Sequence, residues 1–309
     1  MKRVIIGVVI SLCAIIVSLG IIEVCLRVAG SFRDKKLASA KSIDKDSFLI
    51  YCFGDSFTYG IGGENGEGYP EKLQGIFKTR YPDKKIRVVN FGVPGSNSKQ
   101  TLDYFKYILD SSAYPHPNLV ILMTGMNDWW NVSDNRDIFL YYKLNPFITK
   151  CYIALARLKV VKLLTVCFVN KGPMRNVRFD AQTGIANPDD PEARSRMGER
   201  YLDIVRVVYE RNINDFVDLA RSRGIETAFS QYPKGFVLDA SLEEIARSKG
   251  VAMVYNNRRL LREAGEKNLD EYFSGEFSYS HPNDKGYAVM SEEIYNHLRM
   301  SGYFRSVYI

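Results

Sequence analysis

Phe48-Leu-Ile-Tyr-Cys-Phe-Gly-Asp-Ser56 is the stretch of sequence that decides the fold. Its first six residues are apolar, and a short run of this kind that ends at a glycine is typical of a strand buried on both faces. Similar apolar runs recur at 85–91, 118–124, 225–230 and 251–255. Segments with helical spacing separate these runs, and strands that alternate with helices predict a parallel sheet covered on both sides. The sequence therefore predicts a three-layer α/β/α fold.

The helices that cover the sheet are predicted at 69–80, 99–110, 200–223, 241–249 and 284–300. Between 129 and 198 the periodic pattern weakens, first into an aromatic and apolar stretch and then into a turn-rich one. We interpret this stretch as an insertion. The prediction is thus one domain at 47–309 that carries an insertion at about 129–198.

An uncharged apolar segment at 4–22 precedes the domain. In a helix, 19 residues span roughly 28 Å, which is close to the thickness of the hydrocarbon core of a membrane. We predict a transmembrane anchor at 4–26, a short basic segment at 1–3 before it and a juxtamembrane linker at 27–46. A cleaved signal peptide is the alternative, but no small-x-small cleavage site follows the apolar segment.

The net charge of +7 is unevenly distributed, because the first 47 residues carry +4 of it. Basic side chains beside an apolar segment can contact anionic lipid headgroups. The remaining body has no basic stripe that would indicate nucleic acid. We therefore expect membrane lipid as a partner and no nucleic acid. The charges that flank the helix favour a cytoplasmic body, whereas long domains translocate largely regardless of such charges. We expect a single-pass membrane protein with an extracytoplasmic domain, and the side is left open.

Ser56 follows the first strand directly, at the edge of the sheet where ligands bind in parallel α/β folds. A serine is a weak nucleophile until a base accepts its proton. His281 is the candidate base, since it lies in the loop His281-Pro-Asn-Asp-Lys-Gly286 before the last helix. His116 and His297 are expected to be structural or solvated. Without a base, Gly-Asp-Ser would be an ordinary helix cap.

Acyl transfer also needs hydrogen-bond donors for the developing oxyanion, worth roughly 3–4 kcal/mol for one donor. Two segments that follow the second and third strands offer such donors: the backbone N–H of Gly95 and the side-chain amide of Asn127. Each alone is more often part of a turn. Asp55 and Asp128 adjoin these segments, and we expect them to brace the loops. Because no other ligand cluster accompanies them, we predict no metal and no cofactor.

In combination, the four segments resemble the motif blocks of the SGNH hydrolase family (GDSL-type lipases and esterases), which occur in the same order. The resemblance covers about 48–300 outside the insertion. It implies a flavodoxin-like parallel sheet, with Ser56 as nucleophile and His281 as base. It also implies that the N–H groups of Ser56 and Gly95 and the amide of Asn127 form the oxyanion hole.

One position departs from the family pattern. The family usually has an aspartate three residues before the histidine, and this chain has Ser278 there. Loss of an orienting carboxylate costs up to about ten-thousand-fold in rate. Glu276 could reach the ring through a local bulge, or Asp270 or Glu271 could fold back onto it. Alternatively, a Ser-His dyad could suffice, with Ser278 or a backbone carbonyl holding the ring. We favour the dyad or Glu276.

These features predict a membrane-anchored serine hydrolase that cleaves carboxylic esters, with an O-acylated glycan or a lipid ester as substrate. One alternative is an O-acyltransferase that uses the same residues to acylate a polysaccharide. Another is a catalytically inactive, membrane-tethered binding domain, which Ser278 favours.

The aromatic residues of the insertion could form a lid or a wall of the substrate site, or they could simply pack together; they include Trp129, Trp130, Tyr141, Tyr142 and Phe147. The five cysteines contain no CxxC pair, so neither a disulfide framework nor a zinc site is expected. Cys151 and Cys167 could pair in an oxidising compartment, but free thiols are the expected state.

Overall fold

The structure is a computed structural model of the chain. It describes residues 2–31, 46–128, 147, 151, 155, 158–161, 199–265, 268–274 and 281–303. The chain divides into two compact units, of which the first combines Met1–Lys35 with Ser133–Val177 and the second combines Lys36–Val132 with Arg178–Ile309.

The first unit contains helix α1 (Lys2–Ser31). Within this unit, the carboxylate of Glu23 accepts a hydrogen bond of 2.9 Å from the backbone N–H of Val160. The structure does not support the predicted anchor at 4–26, because no helix among the residues it describes is long and apolar enough to cross a membrane.

The second unit is built on a five-stranded sheet in which every neighbouring pair of strands is parallel. The strands are β1 (Phe48–Gly54), β2 (Ile86–Gly92), β3 (Leu119–Met123), β4 (Glu226–Ser230) and β5 (Ala252–Val254). Their order in the sheet is β2-β1-β3-β4-β5. This is the flavodoxin-like order, so the predicted α/β fold is confirmed. The order reverses at β1, and ligands bind at such switch points, beyond the carboxyl ends of the strands.

The helices described in the second unit are α2 (Ser56–Tyr59), α3 (Tyr69–Arg80), α4 (Ser98–Asp110), α5 (Glu199–Ser222), α6 (Asp239–Lys249), α7 (Asn256–Ala264) and α8 (Asp284–Met300), with 3₁₀ turns at Glu64–Gly66 and Leu269–Tyr272. They cover both faces of the sheet: α3, α7 and α8 pack together on one face, and α4, α5 and α6 on the other.

Adjacent residues of β1 show why its sequence is apolar without alternation. The ring of Phe53 packs at 5.1 Å from that of Phe105 on α4 and at 6.1 Å from that of Phe216 on α5. The thiol of the preceding residue, Cys52, forms a hydrogen bond with the side chain of Tyr69 of α3, on the opposite face. Both faces of the strand are thus buried, which removes the need for a polar side.

Helix α7 was not predicted from the sequence. It follows β5 after a single residue, and it buries only Asn256, Leu260 and Ala264. Its buried positions recur every four residues, which is helical spacing, but the helix has only nine residues, fewer than the roughly 11 over which helical periodicity is read. It packs against α8.

The predicted insertion at 129–198 lies almost entirely outside the described residues. Of its aromatic residues the structure describes Phe147, which is helical and 73% exposed. Cys52 and Cys151 are free thiols. Free thiols are the state expected from the sequence; Cys167 itself lies outside the described residues.

Candidate active site

A tight turn carries Ser56 from the end of β1 to the edge of the sheet. A Cβ atom at Gly54 would lie 2.2 Å from the carbonyl oxygen of Met123 on β3, so this position requires glycine. The side chain of Asp55 accepts a hydrogen bond of 3.0 Å from the backbone N–H of Phe57 and caps α2. Ser56 is therefore the first residue of a short helix, and it is 8% exposed.

The two side chains predicted to carry the chemistry are in contact. Ser56 Oγ lies 2.6 Å from His281 Nε2, although the two residues are 225 positions apart in the chain. Burial lowers the pKa of His281 to about 4, so the imidazole is neutral at pH 7. A neutral ring whose Nε2 faces a hydroxyl can accept its proton.

The loop that carries His281 is held by its backbone. The carbonyl oxygen of His281 accepts hydrogen bonds from the backbone N–H of Ser274 at 3.0 Å and from its hydroxyl at 3.3 Å. Pro282 forms an antiparallel bridge with Phe273. On the other side lies Gly62, with φ +95°, where a Cβ atom would come within 2.4 Å of the Pro282 carbonyl oxygen. This close approach requires glycine and fixes the height of the loop above the sheet.

The imidazole of His281 stacks on the ring of Phe57, with centroids 4.4 Å apart and planes at 26°. Because Phe57 directly follows Ser56, one turn supplies both the hydroxyl and a packing surface for the ring. Sequence reasoning did not identify Phe57, and its only signal was its position next to the serine.

Of the four side chains considered for orienting the histidine, the structure describes two. Glu276 and Ser278 lie outside the described residues. Glu271 forms an ion pair of 2.9 Å with Lys285, which contradicts the idea that it folds back onto the imidazole. Asp270 is exposed on the same 3₁₀ turn, so the structure does not support it in that role either.

The loop that contains Gly95 lies beside the serine turn. The carbonyl oxygen of Gly54 accepts hydrogen bonds from the backbone N–H of Val93 at 2.9 Å and from the hydroxyl of Ser96 at 3.3 Å. Between them, Gly95 has φ +75°, a left-handed conformation that favours glycine. The structure thus brings the Gly95 peptide to the edge of the sheet that carries Ser56.

Asn127 reaches the same place from the turn after β3, but its amide is already engaged. Its nitrogen lies 2.9 Å from the carbonyl oxygen of Ser96 and 3.1 Å from Asp55 Oδ2. An amide has two N–H bonds, and both have acceptors here. To bind an oxyanion, as the sequence predicts, Asn127 must exchange one of these hydrogen bonds.

Asp55 and Asp128 are both buried, and burial raises the pKa of each to about 7. Asp128 accepts hydrogen bonds from the hydroxyl of Ser98 and, at 2.8 Å, from its backbone N–H, which ties the Asn127 turn to the start of α4. Asn212 of α5 donates to the same hydroxyl at 2.9 Å. The contacts of Asp128 thus join two loops of the site, and its bracing role stays a prediction. No group of three or more metal-ligating side chains occurs within the described ranges.

Tyr232 is a further residue of this site that sequence reasoning did not identify. It lies two residues beyond β4, and its hydroxyl donates a hydrogen bond of 2.7 Å to Asp55 Oδ2. The rule that ligands bind beyond the carboxyl ends of strands could have pointed to it.

Comparisons with known proteins place this geometry in a family. The profile of the GDSL-like lipase/acylhydrolase family matches residues 52–289. An uncharacterized protein of Bacillus subtilis strain 168, YpmR, is 26% identical over 127 residues, which are 41% of this chain and 49% of that protein. The chain thus matches about half the length of this curated relative.

Solved structures similar to the chain include two esterases. The acetylxylan esterase Axe2 of Geobacillus stearothermophilus has 15% identity and a TM-score of 0.49, covering 83% of this chain and 95% of that one. The psychrotrophic esterase EstA of Pseudoalteromonas sp. has 15% identity and a TM-score of 0.46, covering 82% and 98%. The family profile covers well over half of the sequence, so the chain belongs to the GDSL-like lipase/acylhydrolase family, and this membership supports an ester-hydrolysing enzyme.

Proposed function

We propose that the chain is a serine hydrolase that cleaves carboxylic esters, with Ser56 as nucleophile and His281 as general base. The observation that carries the proposal is the 2.6 Å contact between Ser56 Oγ and His281 Nε2. A hydroxyl within hydrogen-bond reach of a neutral imidazole is the arrangement that activates serine for attack on an acyl carbon.

The reaction would proceed in two halves. As Ser56 Oγ attacks the carbonyl carbon, His281 Nε2 accepts the hydroxyl proton and then delivers it to the departing alcohol. Water, deprotonated by the same ring, then attacks the acyl carbon; the bond from that carbon to Ser56 Oγ breaks, and the ring returns the proton to Oγ as the acid leaves. The backbone N–H groups of Ser56 and Gly95 would stabilise the negative charge on the carbonyl oxygen in both halves.

Asn127 would join these donors by exchanging one hydrogen bond. Of its two acceptors, Asp55 Oδ2 is the farther, at 3.1 Å, and this oxygen also accepts the hydroxyl of Tyr232 at 2.7 Å. Asp55 would keep the hydrogen bond from Tyr232. Breaking its hydrogen bond with Asn127 therefore costs less than leaving a buried acceptor without any partner. We therefore propose that the N–H now directed at Asp55 turns to the oxyanion.

A fluorophosphonate probe tests the proposal directly. We expect the full-length protein to be labelled covalently, with the modified peptide, identified by mass spectrometry, containing Ser56. Because a phosphonate reacts only with an activated hydroxyl, absence of labelling would favour the inactive binding domain instead.

The pH dependence of ester hydrolysis should reflect the burial of His281. The base must be neutral, and burial lowers its pKa to about 4, so protonation of the ring should abolish activity only as pH falls through that value. A smaller change in kcat/KM near pH 7 would belong to Asp55 or Asp128, because burial raises the pKa of each to about 7. A neighbouring carboxylate would raise the pKa of the ring.

The same profile therefore decides the role of Glu276. If the acid limb lies near pH 7 and moves down in Glu276→Gln, then Glu276 orients the ring and the dyad is wrong. If the limb stays near pH 4 to 5 in both proteins, the dyad stands. Asp270→Asn is the matched control, since Asp270 is exposed on the preceding turn.

For the substrate we propose an O-acylated glycan or a lipid ester, on the basis of the apolar and basic N-terminal sequence alone. Acetylated oligosaccharides and lipid esters, offered separately, distinguish the two by the acid released. Incubation with an acetyl donor and an unmodified oligosaccharide adds a further outcome: acyl-sugar formed without net hydrolysis would favour the O-acyltransferase.

A membrane location is likewise a proposal from sequence, supported by the uncharged segment at 4–22. We expect the full-length protein to stay in the pellet after alkaline carbonate extraction of cell membranes. A variant with Ile10, Ile15 and Val17 replaced by Asp should become extractable, because charges in the middle of a span are costly. Release of the unchanged protein by carbonate would contradict the anchor.

A further inference from the structure

Tyr232 connects two of the turns that form the candidate site. Its side chain is 3% exposed. Its hydroxyl donates a hydrogen bond of 2.7 Å to Asp55 Oδ2 and accepts one of 3.1 Å from the backbone N–H of Met126. Asp55 immediately precedes Ser56, and Met126 immediately precedes Asn127. A single hydroxyl therefore bridges the turn of the nucleophile and the turn of the amide.

The ring of Tyr232 extends this connection to the base. It packs edge-on against Phe57, with centroids 4.9 Å apart and planes at 76°. Phe57 in turn stacks on His281 at 4.4 Å. Tyr232 is thus linked to the imidazole through one intermediate ring.

Asp55 Oδ2 is the common point of these contacts, since it accepts hydrogen bonds from both Tyr232 and Asn127. Building on the proposed function, we infer that Tyr232 is a positioning residue that fixes Asp55 and thereby sets the spacing between Ser56 and the Asn127 amide. Because Tyr232 is itself a second donor to Asp55, it also allows Asn127 to turn to the oxyanion. In this role it acts through other residues and does not contact the substrate.

The charge of Asp55 makes this role testable apart from activity. Burial raises the pKa of Asp55 to about 7, and the hydrogen bond from Tyr232 opposes that rise. Among the described residues, the titratable groups that interact electrostatically with Asp55 are Tyr232, Asp128 after β3 and Tyr287 on α8. Removal of the Tyr232 hydroxyl should raise the pKa of Asp55 further, because the carboxylate loses a donor.

Tyr232→Phe removes the hydroxyl and keeps the ring that packs on Phe57. We expect kcat to fall about 10- to 100-fold, the range for loss of one hydrogen bond to a charged group, while KM changes little. Tyr51→Phe is the matched control, since Tyr51 is also buried and its hydroxyl donates a hydrogen bond of 2.7 Å to the Pro115 carbonyl oxygen on the amino side of β3. It should leave kcat unchanged.

Thermal unfolding at two pH values gives a second readout. The folded-state pKa of Asp55 lies above its unfolded value, so ionisation of this carboxyl reduces stability as pH rises from about 4 to about 7. At pH 5 the carboxyl is largely protonated in both proteins. At pH 8 the wild-type carboxylate has the Tyr232 donor and the variant does not. We expect the Tm deficit of Tyr232→Phe to be about 3 °C larger at pH 8 than at pH 5, and that of Tyr51→Phe to be equal at both.

The outcomes separate this inference from the proposed function. An unchanged kcat in Tyr232→Phe, together with a Tm deficit that does not depend on pH, overturns the positioning role and leaves the hydrolase intact. If the wild-type protein is neither labelled nor active, the proposed function fails. The Tm comparison then still decides whether Tyr232 holds the Asp55 carboxylate.

Discussion

Ser56→Ala should abolish labelling by a fluorophosphonate and reduce kcat for ester hydrolysis by roughly 10⁴- to 10⁶-fold, the range for removal of a nucleophile from other serine hydrolases. The reason is that Ser56 Oγ is the hydroxyl that faces His281 Nε2, at 2.6 Å. Any residual rate would come from binding and from the oxyanion donors alone. Hydrolysis of a chromogenic acetate ester measures the loss.

A matched serine separates chemistry from stability in this experiment. Ser291 is also buried, but its hydroxyl donates to the Ala288 carbonyl oxygen within α8. Ser291→Ala should keep full labelling and hydrolysis. The Tm of Ser56→Ala should stay near that of the wild type, because the substitution removes one oxygen atom. Labelling that persists in a folded Ser56→Ala protein would rule out Ser56 as the nucleophile.

Replacement of His281 should reduce kcat to a similar extent as Ser56→Ala, but through loss of the base and not of the nucleophile. In His281→Ala the hydroxyl of Ser56 remains but loses the base that accepts its proton, so kcat should fall roughly 10⁴- to 10⁶-fold. Labelling should become slow and rise with pH, as hydroxide replaces the ring. The substitution also opens a space against Phe57, on which the imidazole stacks.

That space provides a sharper test, because free imidazole can enter it. Added imidazole should restore part of the activity of His281→Ala and none of the activity of Ser56→Ala. His297→Ala on α8 is the control for loss of a histidine, since burial lowers the pKa of His297 also. A His281→Ala protein with the wild-type rate would show that another group takes the proton.

The strands and most helices of the second unit could be predicted because local patterns specify them. Apolar runs without alternation indicated strands buried on both faces, and β1 is buried between α3 on one side and α4 and α5 on the other. Helix α7 was not predicted because its nine residues are fewer than the roughly 11 over which helical periodicity is read, although its buried residues have helical spacing.

The residues of the candidate site likewise include some that local patterns predict and some that they do not. Ser56, Gly95 and Asn127 could be located from the sequence because each follows a strand, and the carboxyl ends of parallel strands share one edge. Tyr232 follows the same rule but belongs to no recognisable motif. The engagement of the Asn127 amide by Ser96 and Asp55 could not be predicted, because hydrogen-bond partners depend on distances between separate loops.

By itself, the sequence determined the parallel α/β class, the serine at the end of the first strand and the histidine before the last helix, since these follow from apolar patterning and residue chemistry. Only the tertiary structure decided that Ser56 and His281 meet, because the two residues are 225 positions apart and the chain between them must first pack into one sheet with its helices. Tertiary packing likewise placed Phe57 against the imidazole and Tyr232 against Asp55. Such contacts are set by geometry across the sheet edge, which no local stretch of sequence encodes.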